Sequence, residues 1–93
     1  SSNPQKIVEA MKLLTSDKHV KVVLINIFGG ITRCDDVAKG LIEAFQEIKT
    51  DMPIVIRLTG TNETEGREIL KGTHFHVAHT MSEAGKMAVE LSK

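Results

Sequence analysis

The sequence predicts an α/β fold, a parallel sheet of about three strands with helices on its faces. Three observations predict it. Runs rich in β-branched residues alternate with segments whose apolar residues recur every three or four positions, in the order α-β-α-β-α-β-α; that alternation implies a parallel sheet. The first apolar run, Val20 to Phe28, is nearly continuous, the habit of a strand buried on both faces. The same run ends at Gly29-Gly30 and passes directly into a helical pattern, as a βαβ unit does.

The elements follow in order. The first helix is predicted from Pro4 to Thr15, with Asn3 as its cap and Pro4 at the first helical position, where a missing N–H does no harm. Ile7, Val8, Met11 and Leu14 form its apolar face. After the polar turn Ser16–His19 comes the strand Val20–Phe28. The second helix runs from Arg33 to Lys49, with Val37, Leu41, Ala44, Phe45 and Ile48 facing inward. Pro53 to Leu58 is a short strand with proline at its first residue, where a missing ladder donor is tolerated. Thr59–Asn62 is a loop containing Gly60. Glu63 to Lys71 is a helix weakened by Gly66 and ended by Gly72. Thr73 to Ala78 is a third strand with Phe75 and Val77 on its apolar side. Ser82 caps a last helix to Leu91, with Ala84, Met87, Ala88 and Leu91 on one face.

A chain of 93 residues is read as a single domain over 1–93, and one that short is marginal by itself. Apolar residues make up 41 % and charged residues 26 %, with a formal net charge of zero. Bulk electrostatics therefore support neither nucleic-acid nor membrane-surface binding. No apolar stretch approaches the roughly 20 residues that span a bilayer. The lone Cys34 excludes an intrachain disulfide and fits a reducing compartment. The chain starts at Ser1, and its most apolar strand is its first. An edge strand of that kind is an aggregation liability. The expectation is a fragment of a longer protein whose missing strand pairs with Val20–Phe28; alone, it would self-associate there.

The segment from Asn26 to Asp36 carries the chemistry. Adjacent glycines, Gly29 and Gly30, allow a sharp turn and let a ligand approach the backbone. The first N–H groups of the next helix lack intrahelical partners and carry the positive end of the helix dipole. Strand, glycine turn and helix N-terminus together make an anion site for which phosphate is the common occupant, at the carboxyl end of a strand where α/β sheets bind ligands. The plainer alternative stays open: a Gly-Gly turn is often only a turn, and no complete dinucleotide or P-loop fingerprint is present. Asp35 and Asp36 add negative charge nearby, and acids also suit a first turn as dipole partners. Arg33 would offset them or touch the anion, or be a solvated side chain.

Other residues carry less. His74 and His76 share a strand face, and with His79 and His19 they raise a metal site, but no carboxylate or cysteine completes a ligand pattern. Cys34 lacks a base nearby in sequence and reads as a buried thiol. Arg57, late in its strand, points toward the same carboxyl end as the glycine loop, as an ion-pair partner in the crevice wall or at a subunit contact. Thr61 and Asn62 read as caps of the next helix.

Val22 to Asp35, VVLINIFGGITRCD, resembles the NIFGGI-x-RCD signature of the succinyl-CoA ligase β subunit, and Pro53 to Asn62, PIVIRLTGTN, resembles that family's second segment. The resemblance covers nearly the whole chain and weakens from Lys71 onward. Thr59 stands where the family usually has an acid, so no role of that acid is carried over. The resemblance implies a flavodoxin-like domain in the strand order 2-1-3-4-5 with its first strands missing, which puts the glycine loop at the topological switch point. It implies an ATP-grasp domain upstream and an α-subunit partner that supplies the phosphorylated histidine, so none of the four histidines here has that role. It implies ATP or GTP, Mg and CoA for the full enzyme and no cofactor within this piece. Gly30, Ile31 and Thr32 match the residues that close on the phosphate and the carboxylate substrate, with Gly29 supporting the turn; Asn26, Arg33 and Arg57 are candidate supports. The expected activity is acid–thiol ligation in the citric acid cycle, in a bacterial or archaeal cytoplasm or the mitochondrial matrix. The alternatives are a non-catalytic docking module for the α subunit, a related enzyme such as a malate–CoA ligase, or a free-standing phosphate or flavin binder.

Overall fold

Seven elements are built in the expected order: α1 (Pro4–Ser16), β1 (Val23–Gly29), α2 (Cys34–Glu47), β2 (Ile54–Gly60), α3 (Glu63–Leu70), β3 (His76–Ala78) and α4 (Met81–Leu91). They are seen in a computed structural model that describes residues 4–29, 33–48 and 50–93. Gly30, Ile31 and Thr32, the expected Asn3 cap, the Lys49 end of the second helix and the side chains of Ile7 and Val8 lie outside the described residues.

The three strands form one parallel sheet in the order β1-β2-β3. Sequential order places both crossover helices on one face, because crossovers share one hand. Accordingly α2 and α3 bury Val37, Leu41, Phe45 and Leu70 against Ile54, Ile56 and Leu58 of β2, with Met11 of α1 joining them. The expected inward face of α2 is buried along its length, from Val37 to Ile48. On the other face α4 packs Ala84, Met87 and Leu91 against Val55 and Ala78. The result is an open α/β fold consistent with a truncated flavodoxin-like domain.

The strand buried on both faces is β2, whose Ile54, Val55, Ile56 and Leu58 are all 0 % exposed. β1 lies at the sheet edge: its Val23 is buried, but Leu24 is 39 % and Phe28 71 % exposed. The continuous apolar run thus has one face under α2 and the other open, since α4 covers chiefly β2 and β3. On α1, Met11 is buried as expected but Leu14 is 41 % exposed.

Three boundaries move for identifiable reasons. β2 runs on through Thr59 and Gly60, expected to be loop, because they continue the register with Phe28 and Gly29. β3 starts at His76 rather than Thr73 because the Thr73 hydroxyl accepts the Phe75 N–H at 3.2 Å and donates to the Leu70 carbonyl. That local turn competes with the ladder. His74 therefore shares no strand face with His76; it stacks on Phe75, ring centroids 4.6 Å apart. Lastly, α4 is capped by Thr80, not Ser82: Thr80 Oγ1 accepts the Glu83 N–H at 3.0 Å.

Gly66 interrupts no helix. A Cβ there would lie 2.8 Å from the Cys34 carbonyl oxygen and 2.8 Å from Leu58 Cδ1. Its bare Cα is what lets α3 pack directly against the start of α2.

Candidate functional site

The carboxyl ends of β1 and β2 stop level with each other, Gly29 opposite Gly60. The chain therefore leaves the sheet at neighbouring points, from Gly29 toward α2 and from Gly60 toward α3. Gly60 has φ 119, a conformation open to glycine and strained for other residues. Its N–H donates to Glu63 Oε1 at 3.1 Å, and Glu63 Oε2 takes Arg67 Nη1 at 2.9 Å. The Gly60 N–H bond, then the Arg67 bond and the charges of Arg67 and Arg57, hold the Glu63 carboxyl below its usual range against a smaller opposing effect of burial.

The start of α2 is tied to the β2–α3 loop. The Cys34 N–H donates to the Thr61 carbonyl at 2.8 Å. The Asp35 carboxylate, 13 % exposed, receives Arg33 Nε at 3.3 Å and Nη2 at 3.0 Å, and Asn62 Nδ2 at 3.3 Å. Burial pushes the Asp35 carboxyl up, but the Asn62 and Arg33 hydrogen bonds, the Arg33 charge and the Asp36 N–H together bring it below the usual carboxylate range. Arg33 is the N-cap residue, with φ −81 and ψ 134 and no side-chain cap. Its guanidinium is turned onto Asp35.

These bonds change how the helix N-terminus can serve an anion. The Cys34 N–H is taken by Thr61, and the Asp36 N–H faces the Asp35 carboxylate. Among the described residues the Asp35 N–H has no acceptor. The first turn of α2 therefore offers few free N–H donors among the described residues. The helix contributes its dipole, and Arg33 offsets the Asp35 charge that would oppose it.

Arg57 stands elsewhere. It lies two residues beyond Val55, which packs under α4, so it shares that face, opposite α2. Its Nη1 donates to Asn26 Oδ1 at 3.1 Å, and its guanidinium carbon lies 5.8 Å from the centre of the Phe28 ring. Its Nε is buried with no hydrogen-bond partner among the described residues, and it forms no ion pair among them. The expected pair in a crevice wall is replaced by a contact with Asn26 and Phe28, just ahead of Gly29.

Cys34 is 0 % exposed, its Sγ directed at the Thr59 carbonyl at 3.5 Å, as a structural thiol would be. Asn62 occupies the N-cap position of α3 in a left-handed conformation, φ 58 and ψ 35, and makes no side-chain cap bond. Its amide goes to Asp35 instead. The histidines are dispersed: His19 beside Asp17, His79 beside Glu83 and His74 on Phe75. Among the described residues no three His, Cys, Asp or Glu side chains converge to hold a metal. A cavity of about 320 Å³ lies beside Thr64, Arg67, Lys71 and His79. Each of its basic side chains lies beside a carboxylate: Arg67 by Glu63, Lys71 by Glu68 and His79 by Glu83.

Sequence reasoning singled out the segment around Gly29-Gly30, of which Gly30–Thr32 lie outside the described residues, and missed the Cys34–Thr61 and Asp35–Asn62 links. The signal that could have found them is the pair of strand-ending glycines, which in a parallel register brings the two following loops together.

The model of the CoA-ligase family matches residues 1–91. The chain is 66 % identical over 94 residues to a Bacteroides fragilis protein named succinate–CoA ligase (ADP-forming) subunit beta, covering 100 % of this chain and 25 % of that protein. It is 50 % identical over 97 residues to an Archaeoglobus fulgidus subunit beta 2 of the same name, covering 99 % and 25 %. A Herpetosiphon aurantiacus subunit beta is 49 % identical over 92 residues, covering 99 % and 24 %. The similarity runs on through the histidine-bearing segment after Lys71. The chain spans about a quarter of the length of these curated relatives.

Proposed function

This chain belongs to the CoA-ligase family, and we propose that it is a piece of the β subunit of a succinyl-CoA ligase, the acid–thiol ligase that joins CoA to a dicarboxylic acid at the expense of ATP or GTP. In this reading the piece supplies the segment Gly29-Gly30-Ile31-Thr32, whose backbone N–H groups bind the phosphoryl group carried by a histidine of the α subunit and the carboxylate of the substrate. Oriented backbone dipoles stabilise the charge that develops there without reorganising. What carries the reading is the pairing of Gly29 with Gly60 at the level carboxyl ends of β1 and β2, with the first turn of α2 braced behind them.

Arg33 neutralises Asp35 so that an anion meets little repulsion, and Asn26 with Arg57 supports the strand just before the loop. Nucleotide and Mg belong to an upstream ATP-grasp domain of the same subunit, and CoA to the assembled enzyme. The setting is the citric acid cycle in a cytoplasm or a mitochondrial matrix; no helix of the described residues is long and apolar enough to cross a membrane.

A docking role is the second reading, favoured by the exposed Leu24 and Phe28 on the open side of β1. Gly30→Val in the full-length subunit separates the two. The ligase reading expects normal assembly with the α subunit and loss of phosphohistidine turnover. Normal turnover would remove the loop from the reaction, and failed assembly would favour docking.

A further inference from the structure

Consecutive residues of the β2–α3 loop hold consecutive residues at the start of α2. Thr61 accepts the Cys34 N–H at 2.8 Å, and Asn62 donates to the Asp35 carboxylate at 3.3 Å. A single hydrogen bond fixes a separation, whereas two adjacent ones also fix a direction. Behind them the Cys34 carbonyl sits 2.8 Å from where a Gly66 Cβ would stand, so α2 and α3 are closely packed there.

We propose that Asp35 and Asn62 are positioning residues for the reaction at the glycine loop, an inference that rests on the reading of that loop given above. Their bond holds the first turn of α2, to which Gly30–Thr32 is joined, in one position and direction against the end of β2.

The ordinary role of an acid in a first turn is to complement the helix dipole. Asp36, exposed in the same turn, supplies that charge already. Dipole complementarity requires no partner 27 residues away, yet Asp35 has one in Asn62. A second carboxylate beside an anion-binding loop works against binding, and the two-point contact from Arg33 at 3.3 and 3.0 Å offsets it. With the charge offset, geometry is what Asp35 contributes. Asn62 points the same way. An N-cap residue ordinarily has extended backbone and accepts an N–H of its own helix. Asn62 has a left-handed backbone, which is uncommon outside glycine, and its side chain makes no cap bond: its carbonyl accepts the Gly66 N–H, while its amide reaches across to α2.

The test uses the full-length subunit assembled with the α subunit. Asn62→Gly keeps the left-handed backbone at ease and removes only the amide. It should assemble normally, leave KM for nucleotide and CoA unchanged, and lower kcat about tenfold or more, the scale expected when reacting groups are slightly misplaced. Asp35→Ala should give a similar loss of kcat, and serves in its place if Asn62→Gly does not assemble. Exchanging the partners, Asp35→Asn with Asn62→Asp, restores a carboxylate–amide bond and should return kcat to within about threefold of the parent enzyme. An unchanged kcat in both single variants, a loss confined to KM, or no recovery on exchange would overturn the proposal. Gly30→Val run alongside keeps the two readings apart. If it loses turnover while Asn62→Gly does not, the loop reading stands and this one falls; if Gly30→Val turns over normally, both fall.

Discussion

Alanine at Gly66 is expected to destabilise the protein although alanine is the better helix former. Among the described residues three glycines lie inside helices: Gly40 in α2, Gly66 in α3 and Gly85 in α4. Replacing any of them with alanine gains about 1 kcal/mol of helix propensity. At Gly40 and Gly85 nothing lies within 4 Å of the new methyl group, so the gain should appear in full. At Gly66 the methyl meets the Cys34 carbonyl oxygen at 2.8 Å, Leu58 Cδ1 at 2.8 Å and the Cys34 carbonyl carbon at 3.0 Å. Leu58 is 0 % exposed, and the Cys34 carbonyl is backbone held through its N–H on Thr61, so neither yields easily. Overpacking of this kind costs about 1–3 kcal/mol. The propensity term is common to all three sites, so Gly66→Ala should fall below Gly40→Ala by about the whole clash, ~2 kcal/mol or ~8–16 °C in a domain of this size. Urea and thermal unfolding of the 93-residue chain, followed by circular dichroism, would measure it. A Gly66→Ala variant as stable as Gly40→Ala would refute the close packing of α3 on α2.

Thr80→Ala should cost about 1 kcal/mol through loss of the α4 cap, while Ser82→Ala, with no cap to lose, should cost much less; denaturant midpoints compare them. Glu63 and Asp35 have carboxyl pKa values below their ordinary 4.5 and 3.8. Their contributions to stability are present above those ordinary values and are lost as pH falls through the depressed ones, because the unfolded chain then binds more protons. Unfolding measured from pH 7 down to about 2 should therefore show a smaller acid-induced loss in Glu63→Gln than in the parent, and equal slopes would contradict the depressed value. Sedimentation of the isolated chain should show association rising with concentration through the open edge of β1, relieved by Leu24→Lys on its exposed side. A concentration-independent monomer would show that edge to be protected.

The α/β class, the element order and the inward face of α2 were legible because they rest on periodicity. What resisted reading depended on competition between near-equal local options. Thr80 and Ser82 are both good caps, and only the position of the Glu83 N–H decides between them. Thr73 looks like a strand residue until its hydroxyl takes the Phe75 N–H. Leu14 fits the apolar spacing of α1 but outruns the surface available to cover it. The glycine loop was visible as Gly29-Gly30 after an apolar run. Its brace was not, since Asp35 and Asn62 meet only because two parallel strands end in register. Arg57 was read as lying at the carboxyl end of its strand, but its face was not read; alternation along β2 settles that once Val55 is known to lie under α4.

The sequential order of the strands also bears on how the chain assembles during synthesis. Among the described residues β2 and β3 each pair with the strand translated just before them, across a single helix. Ribosomes add about 5–20 residues per second, far slower than a short loop closes. β1, α2 and β2 can therefore meet before α4 has emerged. During that interval Val55 and its neighbours on the α4 side of the sheet are bare, and α4 closes over them last. A ribosome stalled between β3 and α4 would hold a half-covered sheet, a natural target for chaperones.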